Sequence, residues 1–243
     1  MREDRVLTVR PRRPSDPQVD LRLYTVAHRA IQHGAHELAD LAERLHSGDV
    51  ELTVRRATAL DTYTGLFVAD VRHHHHYEDQ IGFPVVRASA LGAVDIEPLS
   101  VDHDRLEPVL EAFRGAVVAL RGGPAGSADQ AGEAGQADQV ARKALAVEAV
   151  RLRDLLDEHI AEEERDIFPA IAQYVSVEDF GRWERAATKG YPIRNLWFTV
   201  SRYAAVVPPA ELSSTMARTP PAHRWALRLF RRRYGRLHEA LFG

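Results

Sequence analysis

Apolar positions along the chain recur in steps of three and four. Leu21, Tyr24, His28, Ile31, Ala35, Leu38, Ala42 and Leu45 form one such seam, the pattern of a long helix buried along a single stripe. Ser47-Gly48-Asp49 ends it with turn chemistry. A second seam starts near Thr53 and carries Leu60, Thr64, Phe67, Val71, His74, Glu78 and Ile81. Phe83-Pro84 closes or bends that helix, because proline removes an N–H and clashes with the preceding turn. Residues 85–98, with Gly92 and Pro98, are expected to form a loop. A third seam holds Leu99, His103, Leu106, Leu110, Phe113, Val117 and Leu120, and Pro108 predicts a kink within it. Residues 121–138, rich in glycine and alanine, are expected to be a mobile loop. A fourth helix runs from about Gln139 through Leu145, Ala149, Leu152, Leu156, His159 and Glu163, until Phe168-Pro169 ends or bends it.

Four helices of matched length predict an all-α fold, an up-down-up-down four-helix bundle over residues 21–175. Residues 1–20 are broken by prolines and alternating charges and predict a flexible arm. Residues 176–243 predict a helical C-terminal extension packed on the bundle. A short helix starts at Ser176, Tyr191-Pro192 breaks it, and the chain ends in a basic amphipathic helix.

Composition narrows the chemistry. Lys and Arg total 32 against 35 Asp and Glu, so no global field draws the chain to nucleic acid or an anionic membrane. Arg231-Arg232-Arg233 reads as a solvated helix face, and neither a nucleic-acid nor a membrane partner is expected. The absence of cysteine excludes disulfides, thiolate metal sites, iron–sulfur clusters and cysteine nucleophiles. No apolar run reaches the length of a membrane span, and the N-terminus lacks the apolar core of a secretory signal, so a cytoplasmic protein is expected. The chain has 12 histidines, four of them consecutive at 73–76.

The seams contain an internal repeat. His74-x-x-x-Glu78-Asp79-x-x-x-Phe83-Pro84 returns as His159-x-x-x-Glu163-Glu164-x-x-x-Phe168-Pro169, at a constant offset of 159 − 74 = 85. Each His–Glu pair is one helical turn apart on the apolar face. A buried imidazole or carboxylate costs free energy unless it is paired or bound to a metal. The other two helices add the seam histidines His28 and His103. Imidazoles and carboxylates converging inside a bundle suit one or two first-row metal ions, iron or manganese above all, and a glutamate can bridge two of them. His73 and His76 read as solvated, His75 as a hydrogen-bond partner of a ligand, and His33, His36 and His46 as surface residues. Tyr24 reads first as core packing and second as a phenol near the metal's open position, and Asp79 and Glu162 read as solvated groups or partners for imidazole N–H groups.

The segments VRHHHHYEDQIGFP (71–84) and DEHIAEEERDIFPAI (157–171), with the seam histidines of the first and third helices, resemble the hemerythrin family and its HHE cation-binding group. The resemblance covers residues 21–175, and the tail is similar to that of larger actinobacterial members. It implies a non-haem di-iron centre, two iron ions per chain bridged by two carboxylates. His28, His74, Glu78, His103 and His159 match ligand positions of that centre. The second bridge is Glu163 or Glu164: the spacing in the oxygen carriers selects Glu164, and the internal repeat selects Glu163, which is preferred. The carriers have a second histidine one turn further along the third helix, where this chain has Glu107. That departure implies a site poorer in histidine and richer in oxygen ligands, biased toward the ferric state and away from reversible oxygen carriage. The function implied is binding or turnover of a small oxidant, peroxide, dioxygen or nitric oxide, with catalase-like peroxide removal as the enzymatic form. The alternative is an iron- or oxygen-responsive sensor or interaction module without turnover.

Overall fold

The computed structural model describes residues 8–121, 131–208, 210–211 and 221–243. These are helices joined by short connections, with no strand among the described residues. The long helices are α1 (Arg22–Ser47), α2 (Val54–Tyr77), α4 (Glu97–Arg121) and α5 (Ala131–Tyr174). A π-helical turn, Glu78–Gly82, joins α2 to the short α3 (Phe83–Ala90). The tail forms α6 (Val177–Gly190), α7 (Leu196–Val206) and α8 (Pro221–Phe242).

Local chemistry sets several ends. Gly48 takes a left-handed conformation, φ 86°, at the C-terminus of α1, where a side chain would be strained. Thr53 and Ser176 cap α2 and α6 by accepting hydrogen bonds from the amides of Arg56 and Asp179. Residues 85–90 are helical rather than loop, because Phe83, Val85 and Val86 bury one face in a core shared with Ile167 and Ile171. Pro98 sits in the first turn of α4, where a missing N–H costs nothing. Residues 131–138 of the expected loop belong to α5; the rest of it, 122–130, lies outside the described residues. Pro169 does not end α5, which continues to Tyr174 with Ala170 and Ile171 buried. Residues 8–12 have ties: the Arg12 amide donates to the Tyr174 carbonyl at 2.8 Å, and the Arg10 amide to the Asp179 carboxylate at 2.8 Å.

The tail does not lie on the outside of a closed bundle. α5 packs along both α1 and α4, and α4 packs on α2, yet the backbones of α1 and α2 stand apart and meet through side chains such as His28 on His74 and Phe67 on Gly34. α7 lies against α1, α8 against α2, and the two pack on each other, filling the seam between the first two helices. Trp197, Phe198, Tyr234 and Leu241 of the tail therefore belong to the same core as Ile31, Tyr63, Phe67 and Phe113. A buried ion pair fixes the insertion. Arg202 of α7 reaches Asp70 of α2 at 2.9 Å and the Ala30 carbonyl of α1 at 2.8 Å. Its guanidinium lies 4.9 Å from the Phe67 ring centroid and 5.2 Å from that of Phe198. Removing one partner of such a pair leaves a buried charge unpaired, at a cost of about 3–5 kcal/mol.

Candidate metal centre

The structure brings His28, His74, Glu78, His103, His159 and Glu163 together in the bundle interior, Glu78 from the π-turn that follows α2 and the others on the helices their seams assigned. Two four-residue groups have ligand atoms within 4.8 Å of one another: His28, His74, Glu78 and Glu163, and His75, Glu78, His103 and His159. Glu78 belongs to both. Its Oε1 lies 2.8 Å from His74 Nε2 and its Oε2 3.6 Å from His103 Nε2. Glu163 Oε2 likewise lies 3.4 Å from His28 Nε2 and 3.8 Å from His159 Nε2. Each carboxylate thus faces one histidine of each group.

The outer nitrogen of each single-helix histidine has a carboxylate beside it, hydrogen-bonded at His28 and close but out of alignment at His103. Glu164 Oε1 lies 2.9 Å from His28 Nδ1, and Asp79 Oδ1 lies 2.9 Å from His103 Nδ1. Carboxylates in this position fix the tautomer and aim of a ligating imidazole. Glu163 therefore points into the cluster while Glu164 stands behind a histidine. Phe168 stacks on His28, rings 5.5 Å apart and 17° from parallel, and Phe83 stacks on His103 at 5.4 Å and 14°.

Two residues stand closer to the cluster than their first sequence readings placed them. His75 is buried and stacks on His103 at 4.2 Å, inside the second group rather than behind it. Its inward position accompanies the π-turn. The Glu78 amide is shared between the carbonyls of His74 and His75, and the Phe83 amide bonds to the Glu78 carbonyl, one residue beyond α-helical reach. The signal available was the surplus of histidine on the second helix. Tyr24 does more than pack: its hydroxyl contacts Glu163 Oε1 and lies 2.6 Å from Glu78 Oε1.

Glu107 requires a correction. Its side chain is 50% exposed and its oxygens take two hydrogen bonds from Arg72, which also holds Glu111, so it turns away from the cluster. His75 makes up the histidine that the third helix lacks, and the expected oxygen-rich ligand set does not form. His33, His36 and His46 also lie outside, beside Glu37, Asp157 and Gln139 respectively.

Electrostatics divide the cluster. Burial holds the His74 and His159 imidazoles down, to about 3 and about 4, so both are neutral and able to ligate at neutral pH. Burial also opposes charging His28, but the Glu163 carboxylate outweighs it and raises the imidazole to about 10. Burial and the neighbouring Glu163 raise Glu78 well above the carboxylate range. One phenol proton cannot serve both carboxylates, so without a metal the two buried carboxylates repel each other. His28 Nε2, His74 Nε2, Glu78 Oε2 and Glu163 Oε2 are buried without an aligned hydrogen bond. Buried polar atoms are rarely left so. A cation would satisfy all four, and nitrogen and oxygen donors without sulfur fit a first-row metal such as iron.

No helix among the described residues is long and apolar enough to cross a membrane. Comparison with curated proteins and with solved structures gave no match. The family model described as the hemerythrin HHE cation-binding domain matches residues 19–171, a span that holds every residue of both groups. The chain belongs to the hemerythrin HHE cation-binding domain family.

Proposed function

We propose that the chain holds two iron ions as a carboxylate-bridged pair and binds or turns over a small oxidant: hydrogen peroxide, dioxygen or nitric oxide. The observation that carries this reading is the sharing of Glu78 between two four-residue groups of nitrogen and oxygen donors. His28, His74 and Glu163 would hold one ion, His75, His103 and His159 the other, with Glu78 between them. Iron, when bound, supplies the electrons that the oxidant accepts. The chain's own residues do the rest. Asp79 and Glu164 keep His103 and His28 aimed. Tyr24 stands over both carboxylates with a proton to give or hold. Phe83, Phe168 and Trp183 exclude bulk water around the histidines and Tyr24. With Glu107 turned outward, the argument against reversible oxygen binding loses its basis, and peroxide turnover rests on the two-electron capacity of an iron pair.

The test is elemental analysis and an optical spectrum of protein purified without added metal, followed by oxygen evolution from hydrogen peroxide. Two iron ions per chain, near-ultraviolet charge-transfer absorption and oxygen evolution lost in His74→Ala are expected. A reduced protein that forms a stable reversible dioxygen adduct and leaves peroxide untouched would replace turnover by carriage or sensing. The sensor reading draws on one feature: Trp183 of the tail sits against Gly82 of the π-turn, so metal occupancy would be felt by α6. Limited proteolysis of α6–α8 with and without iron would reveal that coupling.

A further inference from the structure

We infer that the cavity between the bundle and helices α6 and α7 is a binding chamber for a neutral, single-ring organic molecule carrying one hydroxyl-type group. The floor of this cavity is the edge of the metal cluster, His74, Glu78 and Tyr24, and its mouth lies at the exposed Glu184 and Thr188. Its volume is about 220 Å³. A molecule of water occupies roughly 30 Å³ of liquid, and an apolar cavity of about 150 Å³ holds benzene. Peroxide, dioxygen or nitric oxide alone would leave most of this space unused.

The walls state the chemistry. Tyr24, Tyr77, Phe180, Trp183, Tyr191 and Tyr203 line the cavity, with aliphatic surface from Leu23, Leu196 and Val200. Rings packed around a ring gain from offset and edge-to-face contacts. No lysine or arginine lines it, so in the metal-free chain a carboxylate or phosphate finds no counter-charge on the walls. Asp70 is already engaged by Arg202 and by Thr199 at 2.8 Å, and Glu78 accepts from Tyr24 at 2.6 Å beside His74, so an ammonium meets no carboxylate left to itself in the interior. At the floor a single hydroxyl can reach Tyr24, His74 or Glu78.

The chamber is built in advance of any ligand. His73 Nε2 donates to the Ala187 carbonyl at 3.0 Å, and Tyr191 bonds to Thr199. Gly82 and Gly190 lack the Cβ that would collide with the Trp183 and Tyr77 rings, so α6 can seat directly on the metal-bearing end of α2. Preformed walls spare the ordering cost of binding. The ligand's place beside the cluster rests on the proposed metal chemistry; its fit to the chamber does not.

The test uses the full chain, metal-free and iron-loaded, with benzyl alcohol, benzoate and benzylamine as probes of one size and three charges. Binding is read by calorimetry and by saturation-transfer resonance of the ring protons. Benzyl alcohol is expected to bind at least about tenfold more tightly than either charged probe, with a dissociation constant on the order of 1 mM or below. Ala187→Phe and Leu196→Trp fill the chamber from different walls; each is expected to weaken benzyl alcohol at least about tenfold without changing iron content. Equal binding by benzoate or benzylamine, or undiminished binding in a folded filled variant, overturns the inference, and the charge series on the wild type decides it without any variant. Benzyl alcohol binding to a protein that takes up no iron would sink the metal reading alone. Iron uptake without benzyl alcohol binding would sink the chamber alone.

Discussion

In the first copy of the repeat the backbone leaves α-geometry at Glu78, whereas in the second copy the helix runs through Glu163 and Pro169 without a π-turn. The side chains that both copies share nevertheless reach equivalent places. Each glutamate faces one histidine from each group, each following acidic residue backs a histidine of another helix, and each phenylalanine stacks on that same histidine. Two buried positions change character between the copies. His75 stands where the second copy has Ile160, and Gly82 where it has Ile167. One turn before the single-helix histidines, Tyr24 corresponds to Leu99. His75 and Gly82 put polar or open character on the first copy; Gly82 seats Trp183 of the tail, and Tyr24 of α1 lines the cavity with His74 and Glu78. The matched part of the repeat gathers ligands; the unmatched part decides which side of the cluster is reached and which side is sealed.

Metal content gives the largest test of this division. Glu78→Ala is expected to abolish binding in both groups, because both use Glu78. Glu163→Ala and His75→Ala each belong to one group and should each retain roughly half of the metal. His33→Ala and His46→Ala should retain all of it. Equal losses in Glu78→Ala and Glu163→Ala, read by elemental analysis after desalting, would make the two copies functionally identical.

The backing carboxylates should come next and should match each other. Asp79→Ala and Glu164→Ala are each expected to weaken metal affinity by about 10–100-fold, measured by competition with a chelator of known affinity. A large difference between them would break the symmetry argued from the two 2.9 Å contacts.

Stability should separate the copies by opposite mechanisms. Gly82→Ala pushes a methyl group into the Trp183 ring and should cost about 1–3 kcal/mol through overpacking. Ile167→Ala, at the matching buried position, should cost about 2–5 kcal/mol through the cavity it leaves. Denaturant titration reads both, and a Gly82→Ala protein as stable as the wild type would mean that Trp183 is not held against the π-turn.

The smallest effect is a pH dependence. His28 is raised to about 10, so in the metal-free protein it carries a proton at neutral pH that a metal must displace. Affinity should therefore rise with pH up to about 10 and flatten above it. The same raised value gives the metal-free fold a contribution that is full below the unfolded imidazole value near 6.5 and disappears as pH rises through about 10. Calorimetry of metal binding in buffers of different ionisation enthalpy counts the protons released; none released at pH 7 would remove the charged His28–Glu163 pair.

The four long helices were legible because a buried stripe repeats with the helix period whatever it packs against. The cluster's six seam residues were legible for the same reason: polar groups on an apolar stripe must converge. His75 was not, because adjacent residues on an α-helix point about 100° apart and the sequence carries no periodic sign of a π-turn. Tyr24 looked apolar from its seam, and only its position above both carboxylates reveals the hydroxyl's role. The place of Glu107 depended on Arg72, a partner on another helix that spacing alone does not disclose. The tail's insertion was hidden likewise, since periodicity shows that a face is buried but not by what.

That insertion governs the order in which the molecule can assemble. α1, α5, α4 and α2 form an array whose two edges meet through a few side chains, Tyr24 and His28 on His74 among them, and are packed together along their length only when α7 and α8 arrive. The bonds that close the array are among the most distant in sequence: Arg202 reaches back 132 residues to Asp70 and 172 to Ala30. Contacts of such separation form late and slowly, because loop-closure entropy is lost before they are rewarded. All seven cluster residues lie in this array, and synthesis delivers it first. The protein's ring of helices is thus closed behind its histidines and glutamates by the segment that leaves the ribosome after them.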